Sequence, residues 1–116
     1  MEIKIVKDSI DRQELITIAN EEFGDIVKVV VDVEKGIMAV GGELHADEEI
    51  MLMEKEGSGR EHLWGINIYP KKPGEDWIEF DSMINIKPSL GNRSRNVEHK
   101  DVQQKIKEIV ANLIGD

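Results

Sequence analysis

The sequence contains no cysteine, few aromatic residues and no long apolar run. Without cysteine the chain can form no disulfide, no thiolate metal site and no thiol nucleophile, which fits a reducing, cytoplasmic setting. The longest purely aliphatic stretch is Val29–Val31, and the first residues lack the apolar segment of a signal peptide. We therefore expect neither a membrane span nor a secretory leader.

The chain is acidic, with 15 basic and 24 acidic residues and a net charge of −9. Such a charge opposes binding to phosphate backbones and anionic membranes, so we expect no nucleic-acid partner and no membrane partner. The charge is uneven, because residues 87–107 hold six basic residues against two acidic ones, a local charge of +4 that leaves −13 elsewhere. A small anionic ligand remains possible near this basic segment.

A length of 116 residues fits one domain, spanning 1–116. Asp11 followed by Glu14 is a capping box that predicts a helix start, and Gly24 is a suitable stop. The β-branched run 26–33 and the segment 37–44 predict a hairpin around Gly36, which can adopt a positive φ. Pro73-Gly74 suits a turn between two further strands.

Hydrophobic periodicity supplies the remaining elements. The predicted strands are 2–6, 26–33, 37–44, a short 51–53, 63–69 and 77–86, with one helical turn or a bend at 46–50 and a C-terminal helix at 101–114. The order β-α-β-β-(β)-β-β-α predicts an α+β fold, with a mainly antiparallel sheet of about five to six strands and two helices on one face.

Alternation along the later strands separates an apolar face from one that carries small and polar residues. Gly41 and Gly65 on the second face would leave a floor for a ligand, and glycine, asparagine and aspartate are poor strand formers that call for another explanation. The alternative is an ordinary solvated sheet face. The predicted ligand-binding residues on this face are Glu43, His45, Asn67, Tyr69, Asp81 and Asn85.

Acid–base chemistry is the second possibility at this face. A carboxylate beside a histidine can raise its pKa and fix its tautomer, so Glu43, His45 and Asp81 are candidate catalytic residues. Glu43-x-His45-x-Asp47 is also a weak candidate for a metal site, although Asp47 could instead cap a helical turn. No cofactor is indicated by any motif.

The loop 91–95 has the composition of an anion-binding loop. Arg93, Ser94 and Arg95 offer guanidinium groups, a hydroxyl and backbone amides to a phosphate or carboxylate. The alternative is that both arginines pair with acidic residues of the same chain. Standard nucleotide-binding, zinc-protease, EF-hand and serine-hydrolase motifs are absent from the sequence.

Three stretches, GGELHAD at 41–47, LWGINIYP at 63–70 and WIEFDSMINIKPSLGNRSR at 77–95, carry a resemblance. Together with the capped helix and the C-terminal helix, they resemble a small family of uncharacterised prokaryotic proteins catalogued as a domain of unknown function. The resemblance implies a bacterial or archaeal cytosolic protein. It implies no activity and transfers no catalytic residue.

Three hypotheses of function follow from the residues. The first is a site for a small polar or anionic ligand on the glycine-floored face, with Arg93 and Arg95 binding its charged end. The second is an interaction module or homodimer that uses the same face, with Trp64, Trp77 and Tyr69 as anchors. The third is a metal-dependent hydrolase that uses the residues of the 43–47 segment.

Overall fold

A computed structural model describes residues 2–115, with the side chain of Glu75 excepted. Across this range the elements run in the order β-β-α-β-β-α-β-β-α-β. They are β1 Lys4–Val6, β2 Ile10–Asp11, α1 Arg12–Glu22, β3 Val27–Asp32, β4 Ile37–Val40, α2 His45–Glu56, β5 Leu63–Ile68, β6 Ile78–Glu79, α3 Lys100–Leu113 and β7 Ile114–Gly115. No helix in this described range is long and apolar enough to cross a bilayer.

Five strands form an antiparallel sheet in the order β1-β4-β3-β5-β6, which confirms the α+β class and the antiparallel sheet. The predicted hairpin is present as β3 and β4, with Gly36 at φ 69° in its turn. The central strand β3 pairs with β5 in a register that places Val30 opposite Gly65. A two-residue parallel pair, β2 with β7, ties the start of α1 to the end of α3.

The prediction of two helices on one face is corrected to three helices on two faces. Leu15 and Ala19 of α1 and Ile106 and Val110 of α3 join one buried cluster with the odd-numbered valines of β3. Leu52 of α2 packs on the opposite face, in a second cluster that includes Val30, Ala39 and Leu63. The face predicted to be open is therefore largely covered by α2.

Of the two alternatives predicted for 46–50, the helical turn is correct and the bend is wrong, and the strand predicted at 51–53 is wrong, because all these residues lie in α2. The residues of α2 that are buried, His45, Glu48, Glu49 and Leu52, recur at helical spacing. Two of those four are glutamates, so a pattern based on hydrophobicity does not reveal the buried face. Gly41, at φ 91°, follows the shortened strand β4, which was predicted to continue to residue 44.

Two further predictions are corrected at element ends. Asp11 does occupy the N-cap of α1, but its side chain makes no capping hydrogen bond, and Glu14 pairs with Lys4 at 2.8 Å instead. The predicted strand 77–86 pairs with β5 only at β6, after which the chain forms a 3₁₀ turn at Met83–Asn85. The irregular segment 80–98 that follows β6 builds one wall of the candidate site.

Candidate functional site

A cleft of about 310 Å³ lies between the N-terminus of α2, the end of β5 and the segment 81–84. Four of the predicted ligand-binding residues line it together: His45, Asn67, Asp81 and Arg95. Lys28 of β3 also lines it, although the sequence analysis did not single it out. We call this region the His45 cleft.

His45 is the first residue of α2 and its imidazole lies over Gly65 of β5. A methyl group added at Gly65 would stand 3.2 Å from Cδ2 of His45 and 2.5 Å from the side chain of Ser82. The space left by the absence of a side chain at Gly65 is thus filled by other residues of the protein. The predicted open floor is occupied by His45 and Ser82, and the cleft lies beside them.

The protonation state of His45 follows from its contacts. Nε2 lies 2.8 Å from the carbonyl oxygen of Ile66, which can only accept, so Nε2 carries a proton. Burial lowers the pKa of His45; the Ile66 hydrogen bond and Asp81 oppose this effect, whereas Lys28 and Arg95 reinforce it. His45 is therefore neutral at pH 7, and Nδ1 keeps its lone pair. Among residues 2–115, Nδ1 has no hydrogen-bond partner.

Lys28 supplies a positive charge at the cleft. Its ammonium lies 5.4 Å from the ring centroid of Phe23. Within the described part of the chain no carboxylate lies within ion-pair distance of Nζ. An anion in the cleft would find this ammonium free.

The side-chain oxygen of Asn67 is a hydrogen-bond acceptor that receives no hydrogen bond from the described residues. Nδ2 of Asn67 donates to Oε1 of Glu79 at 2.9 Å and to the carbonyl oxygen of Asp81 at 3.4 Å, which fixes the orientation of the amide. Its Oδ1 is buried and has no hydrogen-bond partner among the atoms that the structure describes. A ligand that donates a hydrogen bond would satisfy Oδ1, because buried polar atoms in proteins are nearly always paired.

Asp81 and Arg95 form an ion pair of 2.6 Å at the edge of the cleft. The backbone holds them together, since the amide of Ser82 donates to the carbonyl oxygen of Arg95 at 3.1 Å. The predicted alternative, in which the arginines pair with acidic residues of the same chain, is therefore correct for Arg95. Both side chains are about half exposed, so the pair stabilises the fold little.

Asn85, predicted to bind a ligand, is wholly buried and fully used by the backbone. Its Oδ1 accepts from the amide of Gly65 at 2.8 Å, and its Nδ2 donates to the carbonyl oxygens of Gly65 and Arg95, each at 2.9 Å. The side chain pairs with β5 as a neighbouring strand would. Asn92 performs a similar task, since its amide bonds four backbone groups from Asn85 to Glu98.

The loop at 91–95 holds a carboxylate of the protein itself. Oε2 of Glu98 accepts from the amides of Arg93 and Ser94 and from Oγ of Ser94, each at 2.8 Å. These bonds, with that from Ser94 Oγ the largest contribution, lower the pKa of Glu98. The two amides and the hydroxyl of this loop are therefore occupied by a carboxylate of the same chain. Arg93 and Ser94 do not line the His45 cleft.

The remaining predicted residues lie outside the cleft. Glu43 is exposed, and Tyr69 donates to Oε1 of Glu79 at 3.3 Å. Asp47 is exposed in the first turn of α2. Over the described residues no three histidine or acidic side chains come together to hold a metal ion, so Glu43, His45 and Asp47 do not form the predicted triad.

Of the predicted interface anchors, Trp64 is corrected, because it is 3 % exposed in the core and cannot meet a partner. Trp77 is half-buried, with the guanidinium of Arg12 stacked 4.2 Å from its ring centre. Other large apolar side chains are exposed in this region. Leu44 and Met83 line the His45 cleft, and Ile50, Ile86 and Leu90 line a neighbouring surface between α2 and residues 84–90.

The chain is a small α+β domain with an antiparallel sheet, and residues of its most distinctive motifs line the His45 cleft. Domains of this class serve many functions. The model of the family described as "Protein of unknown function (DUF5674)" matches residues 4–113, so the chain belongs to this family, and the resemblance noted from the motifs is confirmed. No curated protein matches the chain. No solved structure matches it either.

Proposed function

We propose that the protein binds a small hydroxy or amino carboxylic acid in the His45 cleft. The observation that carries the proposal is the neutral His45, held by the Ile66 carbonyl with Nδ1 unpartnered, in a cleft with the ammonium of Lys28. A volume of about 310 Å³ is near the lower limit for ligand pockets, which favours a small molecule.

Charge and hydrogen bonding together support this class of ligand. Lys28 favours a carboxylate, whereas the charge of Arg95 is already paired with that of Asp81. The first amides of α2, at His45 and Ala46, lie at the positive end of the helix dipole. Nδ1 of His45 and Oδ1 of Asn67 both accept hydrogen bonds, so they favour a hydroxyl or amine on the same molecule. A neutral histidine at this point could also take a proton from a bound hydroxyl.

The test compares two acids that differ in one hydroxyl. We expect L-lactate to raise the melting temperature in a saturable way, and propionate to bind more weakly because it lacks the hydroxyl that can donate to one of the two acceptors. Lys28→Gln should weaken lactate binding roughly tenfold, the value of one hydrogen bond to a charged group. Lys35→Gln, at an exposed lysine in the β3–β4 turn, is the matched control and should bind as wild type. Equal binding by the two variants would contradict the proposal.

A second candidate function is a homodimer formed through the apolar side chains around the clefts. Met83 is 64 % and Leu44 58 % exposed, and both line the His45 cleft. Contiguous exposed apolar residues of this kind are typical of interaction surfaces. Light scattering at increasing concentration distinguishes the candidates: a dimer of wild type that Met83→Lys converts to a monomer supports it, whereas a monomer throughout excludes it.

The setting of the protein is part of the proposal. The lack of cysteine and the motif resemblance support a cytoplasmic protein of a bacterium or archaeon. The net charge of −9 supports a small ligand rather than nucleic acid as its partner.

A further inference from the structure

A second and larger cleft, of about 680 Å³, lies between α2 and residues 84–90. Its walls combine charged side chains, those of Glu49, Arg60, Glu61 and Lys87, with the apolar side chains of Ile50, Ile84, Ile86, Pro88 and Leu90. Ala46 and Ile84 separate it from the His45 cleft, since they line both. We call it the Lys87 cleft.

Lys87 is the unusual residue of this cleft, because it is only 9 % exposed. Its Nζ donates to the carbonyl oxygen of Ile84 at 2.9 Å and lies 5.2 Å from the ring centre of Trp64. Within residues 2–115 no carboxylate forms an ion pair with it. Glu49 and Glu61 line the same cleft but form no ion pair with Lys87; Glu49 lies 3.7 Å from Arg60, and Glu61 lies 3.7 Å from Nε2 of His62.

Burial of this ammonium is unfavourable without an ion pair, and it lowers the pKa of Lys87; Glu49 and Glu61 oppose that effect, whereas Arg60 reinforces it. The backbone nevertheless holds Lys87 in place, through a two-way hydrogen-bonded bridge with Asn92. Of the three N–H groups of the ammonium, one is used by Ile84. Two donors remain on an ammonium that no described carboxylate pairs with, beside the apolar side chains of the cleft wall.

We propose that the Lys87 cleft binds a monocarboxylic acid with an apolar body, whose carboxylate accepts hydrogen bonds from Nζ of Lys87. A carboxylate matches the single charge of the ammonium, whereas a doubly charged phosphate would leave one charge unpaired in apolar surroundings. The alkyl or phenyl body would cover the exposed side chains of Ile86 and Leu90, which are 39 % and 42 % exposed. This site is separate from the proposed hydroxy-acid site, because Lys28 and His45 do not line it.

The test uses 4-phenylbutyrate as the probe, with acetate and 4-phenylbutanol as comparisons, in calorimetric titrations of the full chain. We expect saturable binding of 4-phenylbutyrate, and binding at least about tenfold weaker for acetate, which lacks the apolar body, and for the alcohol, which lacks the charge. Lys87→Met keeps the length of the side chain and should reduce the affinity at least about tenfold. Lys35→Met, at an exposed lysine, is the matched control.

Two further variants keep the result interpretable. Leu90→Gln changes a half-exposed wall residue, so the fold should persist while the affinity falls several-fold; Lys28→Gln should leave phenylbutyrate binding unchanged. Unaltered binding by folded Lys87→Met would overturn the proposal, as would equal binding of acid and alcohol. A wild-type protein that binds no phenylbutyrate, or that dimerises through this cleft and so excludes the acid, would overturn it as well. Loss in Lys28→Gln instead would place the acid in the His45 cleft.

Discussion

Replacement of Gly65 by alanine tests how closely His45 and Ser82 pack on β5. The added methyl carbon would lie 2.5 Å from both Cβ and Oγ of Ser82, and the ordinary separation of such atoms is about 3.5–4.0 Å. Ser82 is 1 % exposed, and its backbone amide and its Oγ are both hydrogen-bonded, so it cannot move without loss elsewhere.

The expected change in the free energy of unfolding is the difference between two opposing contributions. Overpacking of a well-filled site costs about 1–3 kcal/mol, whereas the smaller backbone entropy of unfolded alanine returns about 0.4–1 kcal/mol. We therefore expect Gly65→Ala to lower the free energy of unfolding by about 1–2 kcal/mol. Because Cδ2 of His45 is also within 3.2 Å of the new atom, the variant should bind lactate more weakly.

Urea denaturation followed by tryptophan fluorescence measures this effect, since Trp64 adjoins the substituted position. Gly115→Ala is the control, because its new methyl would meet its nearest neighbour, Oδ1 of Asp11, at 3.9 Å and its φ is not positive. The control should change stability by less than about 0.5 kcal/mol. A Gly65→Ala protein as stable as wild type would refute the packing that we describe for the site.

Three other predictions concern the polar groups around the clefts. Asn85→Ala should cost about 2 kcal/mol or more, because it leaves the buried amide and carbonyl of Gly65 without partners, whereas the carbonyl of Arg95 keeps its bond from Ser82; the exposed Asn20→Ala is the control, and an equal effect of the two on urea denaturation would count against the network. Burial raises the pKa of Glu48 well above its ordinary value, so the folded state keeps a proton that the unfolded chain releases, and this contribution to stability should fall as pH rises between the two pKa values; in urea titrations from pH 4 to 9 the stability of wild type should fall relative to that of Glu48→Gln. The pKa of Glu98 is lowered, so its stabilisation is present above the ordinary glutamate pKa and is lost as pH falls through the folded value; the amide resonance of Ser94 should titrate below that ordinary pKa, and a midpoint at or above it would exclude the hydrogen bonds to Glu98.

Local patterns predicted much of the fold. The β3–β4 hairpin, β5, α1 and α3 follow from periodicity and turn residues, because their buried positions are apolar. The helix α2 could not be predicted in this way, since Glu48 and Glu49 occupy buried positions in it. The length of β6 depended on contacts of residues 81–95 with β5, which lie far apart in the sequence.

Part of the candidate site was also predictable from local patterns in the sequence. Alternation along the predicted strands placed Asn67, Asp81 and His45 on one face, and the His45 cleft brings them together with Arg95, although His45 lies in α2 and not on a strand. Lys28 was not singled out because it lies among valines, although it alternates onto the same face as Asn67, which is its partner across β3 and β5.

Other assignments depended on contacts that the sequence pattern does not contain. Asn85 is of a residue type that suits a ligand site, yet the backbone of β5 uses its whole amide. The anion for the 91–95 loop proved to be Glu98, a few residues away. Lys87, in contrast, resembles any surface lysine in the sequence, and only the fold reveals that it is buried.

The state of His45 is the central claim, and nitrogen NMR of its imidazole tests it most directly. At pH 7 the spectrum should show a neutral ring with the proton on Nε2 and a lone pair on Nδ1, and the ring should titrate below the ordinary histidine pKa. Addition of L-lactate should then shift the Nδ1 resonance, with saturation, in wild type and in Lys35→Gln. A proton on Nδ1, a pKa at or above the ordinary value, or an Nδ1 resonance that lactate does not move would contradict the account.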